Sequence, residues 1–330
     1  MIRFTWLQFR AQASVAAGAL AVLAVILVVT GPQLVHLYGT TVAACPAQHD
    51  CQSAVNAFTS QDSFVRSLVG LVMEATPALI GMFWGAPLIA RDLETGTYRL
   101  ALTQSVTKRR WLAVKLALAG LGSMATAGLL SLMVTWWSSP FDRISMDRLD
   151  ISTFSVRGIV PVGYAAFAFA LGVTAGLLIR RTVPAMAVTL AVFIGVLVGF
   201  ALRIRPHLIA PIRAVSALNM SWVTSTGTRA PGNSFFVGLA PNSDGAWIYS
   251  SQVTTAAGRA NLGPLPRGCG SNTSYQQCVA AITRMHLRQV VVYQPASRFW
   301  EFQWYETAIY VALALALAGF CFWWVRRRLS

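Results

Sequence analysis

Acidic side chains are scarce in this chain: its 330 residues hold eleven Asp and Glu. Charged residues of both signs make up 11%, where a soluble domain carries about 25%, which argues against a water-soluble enzyme. Lysine is scarcer still. Only Lys108 and Lys115 occur, so nearly all of the 26 cations are arginine. A P-loop needs G-x-x-x-x-G-K-[ST], whose lysine follows a glycine to reach the phosphates; neither lysine follows one. The chain therefore has no Walker-type ATP site of its own. Its four histidines, His36, His49, His207 and His286, are dispersed, and no C-x-x-C pair occurs. Nothing in that spacing suggests a zinc, iron–sulfur or Ser-His-Asp constellation. The expectation is a chain that is not itself an enzyme and holds neither metal nor cofactor.

Apolar sequence dominates what is present. Hydrophobic residues reach 55%, the mean hydropathy is +0.57, and the formal net charge is +15. Very apolar and very basic together point to a polytopic membrane protein, not to a nucleic-acid binder. A bilayer core takes about 20 mostly apolar residues per helix. Six runs qualify: Ala13–Val29, Ser67–Ile89, Trp111–Trp136, Ile159–Ile179, Val183–Leu202 and Tyr305–Val325. Arg3, Arg10, Arg91, Arg99, Lys108, Arg109, Arg110, Arg180, Arg181 and Arg326 to Arg328 all fall on one side of these runs, against Asp92 and Glu94. The positive-inside rule assigns that side to the cytoplasm, giving a multi-pass plasma-membrane protein with both termini inside.

The predicted fold class is an all-α polytopic membrane protein with six transmembrane helices, an N-terminal interfacial helix, and a mixed, partly helical outer domain between helices five and six. Domain boundaries fall at 1–202 for the interfacial helix and five spans, 203–303 for the extracytoplasmic domain, and 304–330 for the sixth span and basic tail. The outer segment carries nine Arg against Asp244 and Glu301, an excess that long translocated loops tolerate. Its middle is rich in Gly, Ser, Thr, Asn and Pro; from Tyr275, Val279, Ile282, His286/Leu287 and Val290 recur at helical spacing. Cys45 and Cys51 share the first outer loop, and Cys269 and Cys278 share the large one. Two close pairs on the oxidising side predict the disulfides Cys45–Cys51 and Cys269–Cys278.

Two cytoplasmic stretches stand out. In MIRFTWLQFRAQ, Ile2, Trp6, Phe9 and Ala13 share a helical face, as in a helix lying along the inner leaflet. ARDLETGTYRLALTQSVTKRRW (90–111) leaves the second run on a charged turn and breaks at Gly96. It then offers Tyr98, Leu100, Ala101 and Leu102 as a short amphipathic helix, and reaches a polar turn at Thr103–Thr107 that can cap the third span. A plain positive-inside loop needs only the cations.

Glu94-x-Gly96-Thr97, followed by Leu-x-x-Thr-Gln and a basic cluster, resembles the first cytoplasmic loop of type-2 ABC exporter permeases. The resemblance covers about twenty residues in motif and the whole chain in the order of its spans. In that family the loop forms a coupling helix that docks into a separate ATP-binding subunit. What the resemblance implies here is contact with that subunit through Arg91, Glu94, Gly96, Thr97, Tyr98 and Leu100, with a second contact at Arg180 and Arg181. It further implies two copies of an ABC ATP-binding subunit holding ATP and Mg, a homodimer of this chain in membrane lipid, and export of an apolar or amphipathic substrate such as a drug, lipid or metabolite. The rival reading is a structural or sensory membrane protein whose outer domain binds a ligand.

Within the runs, Glu74 is an ionisable residue three positions before Pro77, and intramembrane charge is costly. It could face a substrate path with Pro77, Phe83 and Trp84, bond a neighbouring helix, or stay protonated near the outer interface. Three G-x-x-x-G pairs, Gly81/Gly85, Gly172/Gly176 and Gly195/Gly199, allow close helix approach, either inside the chain or at a dimer seam.

Overall fold

A computed structural model of the chain describes residues 2–45, 51–61, 63–96, 107–143, 149–218, 223–229, 234–239, 245–260, 262–264, 266, 269 and 274–328. It contains six helices long and apolar enough to cross a membrane: Gln12–Val42, Ser63–Glu94, Arg109–Trp137, Val160–Ile179, Thr182–His207 and Ala296–Arg327. They are termed the first to sixth spans. Most run longer than their apolar cores in sequence, because helical backbone continues into the polar flanks. The N-terminal amphipathic stretch joins the first span as one helix, Ile2–Leu37. No proline or glycine before Gly18 interrupts it, so it is an extension of the span with no turn to set it apart.

The chain divides into two units, one comprising residues 1–144, 150–208 and 300–330, the other 145–149 and 209–299. In the first unit the fourth span is the hub. Fifteen of its twenty residues are buried, and that burial is made possible by small residues. A Cβ on Gly85 would lie 2.5 Å from the Phe169 carbonyl oxygen, and one on Gly172 would lie 2.2 Å from that of Gly81. Two of the three G-x-x-x-G pairs are therefore spent on the crossing of the second and fourth spans. Gly195 and Gly199 of the fifth span meet nothing within 4 Å.

Around this crossing, one apolar cluster joins Ile80, Trp84, Leu112, Phe169 and Val173 to Cys321 and Val325 of the sixth span. A second joins Leu27 and Leu34 to Met73, Val134 and Trp137, and to Phe58 of a short helix, Gln52–Gln61. The Trp137 indole N–H donates to Thr30 Oγ1 at 2.9 Å. The sixth span also closes the start of the fourth. Gln303 Oε1 accepts from the backbone N–H groups of Ile159 (2.9 Å) and Val160 (3.0 Å), two donors that a helix start leaves without intrahelical partners.

The second unit is mainly β. Strands β1 (Ile212–Ala217), β5 (Arg288–Gln294) and β4 (Trp247–Thr254) form an antiparallel sheet in that order, and β2 (Val223–Arg229) pairs with β3 (Ser234–Leu239). The helical spacing read from Tyr275 holds only to Arg284, where the helix ends. Val290 belongs to β5, which corrects the longer helix. His286 adopts a positive φ of 47°, and Gln-Val-Val-Val-Tyr follows, a run suited to a strand. Ser274 and Gln277 form a reciprocal capping box at the start of this helix. Ile282 and Leu287 pack with Val253 and Leu262.

Cys45 and Cys51 lie at bonding distance, as do Cys269 and Cys278, with Cα–Cα separations of 6.1 and 4.4 Å. Cys321 is free and buried.

Candidate functional site

The sequence concentrates charge where the second span ends, the third begins and the fourth turns into the fifth, and the first unit brings these ends together. The second span finishes in the helix Ala86–Glu94. Its last turn is closed by Thr95, whose N–H and hydroxyl both donate to the Arg91 carbonyl, at 3.0 and 2.8 Å. Gly96 follows with φ +71°, a left-handed conformation that glycine adopts at little cost. Arg91 and Glu94 are exposed. Thr97, Tyr98 and Leu100, with the rest of the short amphipathic segment, lie outside the described residues.

Glu94 reaches across to the fifth span. Its Oε2 accepts from the Thr182 hydroxyl at 2.7 Å and from the Thr182 backbone N–H at 3.2 Å. Thr182 is the first residue of the helix Thr182–Gly199, so the carboxylate sits where a helix presents free N–H groups and the positive end of its dipole. The turn that delivers it is very short. The fourth span ends at Arg180, left-handed at φ 59°, and Arg181 already serves as the N-cap of the next helix. Both arginines are exposed. Glu94, Arg180 and Arg181, read from separate stretches, thus flank one junction.

A second link was not legible in advance. Lys115 lies two turns into the third span, 2% exposed, and forms an ion pair with Asp92. Its ammonium also donates to the Leu88 carbonyl at 3.3 Å and stands 5.0 Å from the Trp111 ring. The pair ties the two flanks of the 95–107 segment, while Thr107 caps the third span by accepting from the Arg110 N–H. A lone lysine inside an apolar run was the available signal, since intramembrane charges pair with one another. Its partner could not be read.

The residues expected to form a substrate path separate. Phe83 and Trp84 line an apolar groove of about 770 Å³ between the first, second and third spans, together with Leu20, Ala75, Leu79 and Leu130. Glu74 is exposed, Pro77 is buried, and neither lines the groove. The groove wall includes a π-helical stretch, Ile80–Gly85. Pro87 has no N–H to offer Phe83, four residues back. Gln12 of the first span donates to the Phe83 carbonyl instead, at 3.0 Å.

A buried polar cluster at the opposite ends of the spans was also missed. Arg205 and Glu306 form a bidentate pair, Nε–Oε2 2.8 Å and Nη2–Oε1 2.9 Å, with side chains 2% and 0% exposed. The Tyr164 hydroxyl donates to Glu306 and accepts from Arg205 at 3.1 Å. The guanidinium lies 4.5 Å from the Phe154 ring. The fourth, fifth and sixth spans are clasped here. No group of metal-ligating side chains occurs among the described residues.

Comparison with known proteins gives one family. The profile described as "ABC-2 membrane transporter related" matches residues 17–205, more than half of the chain, from within the first span to near the end of the fifth. No curated protein and no solved structure matches.

Proposed function

Because the chain belongs to the ABC-2 membrane transporter related family, we propose that this multi-pass membrane protein is the transmembrane permease subunit of an ATP-driven exporter. Its ATPase is a separate chain, which holds the ATP and Mg. Two copies of the permease assemble with two ATP-binding subunits, and the 90–111 segment, facing the cytoplasm, is the docking element. The substrate is apolar or amphipathic.

The observation that carries this reading is the contact of Glu94 with Thr182. A docking segment transmits force only if it is mechanically attached to more than one span. The segment hangs between the second and third spans, which Asp92–Lys115 holds together, and Glu94 grips the start of the fifth. Movement of the segment therefore pulls on three spans at once, while the buried fourth span serves as the pivot. In the homodimer, the Gly195/Gly199 face, left open within the chain, is the face offered to the second copy.

The test is purification of the chain with its ATPase partner. Glu94→Arg places a cation against a helix N-terminus and against Arg181. It is expected to abolish substrate-stimulated ATPase activity, and Thr182→Ala to reduce it. Unchanged assembly and unchanged activity in Glu94→Arg would refute the coupling assignment.

A further inference from the structure

The groove between the first three spans has dimensions and chemistry that select a ligand. None of its lining residues is charged, and besides the Trp84 indole only Gln12, Thr76 and Thr126 carry polar side-chain atoms. Both threonines are already satisfied by their own helices: Thr76 Oγ1 donates to Val72 O at 2.6 Å and Thr126 Oγ1 to Gly122 O at 2.9 Å. The walls thus present hydrocarbon along nearly their whole length. Gln12 differs. One N–H is committed to Phe83, and its carbonyl oxygen takes no partner among the described residues.

Length narrows the choice further. On the first span the lining runs from Gln12 to Leu23, about 16 Å at 1.5 Å per residue. That is roughly half of a 30 Å hydrocarbon core, the depth of one leaflet. A groove one leaflet deep, apolar throughout and carrying a single uncharged amide at one end, matches an acyl chain with its first polar group at the level of Gln12. Its 770 Å³ falls within the size of a ligand pocket. The π-helical wall is of the kind that recurs at functional sites.

We propose that this groove holds the acyl tail of a long-chain amphiphile taken from the leaflet at the Gln12 end, with an uncharged ester, amide or hydroxyl group hydrogen-bonded to Gln12. Resting on the export reading above, that amphiphile represents the class of molecule transported. Fixed charge within the tail region is disfavoured, because no lining side chain would pair with it.

The experiment uses the full chain in phosphatidylcholine nanodiscs and a palmitoyl monoglyceride carrying a mid-chain diazirine, with adducts mapped by peptide mass spectrometry. Adducts are expected in peptides covering 12–23, 71–84 and 126–130, in at least about tenfold excess over the apolar 307–325 peptide of the sixth span, a contrast that reports binding rather than solvation by lipid. Leu79→Trp and Ala75→Trp, each filling the groove from a different turn, are expected to remove that excess, whereas Leu315→Trp on the exposed face of the sixth span leaves it. Gln12→Leu lowers labelling by the monoglyceride but not by a diazirine alkane. Labelling spread evenly over the spans, or unchanged in both tryptophan variants, overturns the site and leaves the export reading standing. Stimulation of the partner ATPase by the monoglyceride is read separately. Groove labelling without stimulation keeps the site and refutes its assignment to the substrate.

Discussion

Gly172 offers the sharpest test of the fold. A methyl group there would lie 2.2 Å from the Gly81 carbonyl oxygen, 2.8 Å from Ala86 N and 3.0 Å from Gly85 C. All three are backbone atoms, so no side chain can turn aside. An ordinary carbon–oxygen contact is about 3.3 Å, so the second and fourth spans must separate by about 1 Å. A gap of that size forfeits up to about half of the dispersion attraction at each affected contact. Overpacking typically costs 1–3 kcal/mol, and with backbone on both sides Gly172→Ala is expected at about 3 kcal/mol. Gly319→Ala makes the same chemical change where nothing lies within 4 Å and is expected to stay within about 0.5 kcal/mol of the parent. Equilibrium unfolding of the purified protein in mixed detergent micelles, followed by tryptophan fluorescence, measures both. Equal stability of Gly172→Ala and the parent, or equal destabilisation by the two variants, would refute the assignment of the second–fourth span crossing as the packing centre.

The charged links yield two further expectations. Lys115→Met strands Asp92, and should cost about 3 kcal/mol, the low end for breaking a buried pair, since Asp92 keeps partial exposure. The double variant Asp92→Asn with Lys115→Met should recover most of that loss in the same unfolding assay; a double no better than the single would show that the two residues act independently. In the other cluster, Glu306→Gln leaves the buried Arg205 charge without its carboxylate, for an expected loss of 3–5 kcal/mol. Tyr164→Phe removes hydrogen bonds to charged groups and should cost about 2 kcal/mol. The paired change Arg205→Met with Glu306→Leu should restore thermal stability towards the parent while slowing substrate-stimulated ATP turnover; full turnover would limit the cluster to a packing role.

How much of this was legible in sequence follows from range. The six spans, the Thr107 cap and the close cysteine pairs are local, encoded by hydropathy over about twenty residues or by neighbours in one loop, and they read directly. Glycine spacing marks close approach but names no partner. Gly81, Gly172 and Gly195 look alike in sequence, and only packing separates the two that are used from the one left open. The outer helix was overextended because Leu287 and Val290 continue the helical spacing while also alternating as a strand requires. His286 at a positive φ decides between the two, and no residue type announces that conformation. The least legible features were the ionic ones, since Asp92–Lys115 and Arg205–Glu306 join residues 23 and 101 positions apart.

The same physical device recurs at the two ends of the membrane unit, and this bears on how motion could travel through it. A helix start exposes N–H groups that must be satisfied. In the fourth and fifth spans these are met by side chains from other spans: Gln303 of the sixth on Ile159 and Val160, and Glu94 of the second on Thr182. A cap drawn from within its own helix moves with that helix. A cap drawn from a neighbour binds two helices at a point and lets each rotate about it. The fourth span, held by its glycines along the middle and by Gln303 at one end, has little freedom to move. The fifth is held at its start through Glu94 and at its far end through Arg205, which pairs with Glu306. In the coupling reading proposed above, a pull on the segment after Glu94 would load the fifth span against the fourth, with the Arg205–Glu306 clasp bearing its far end.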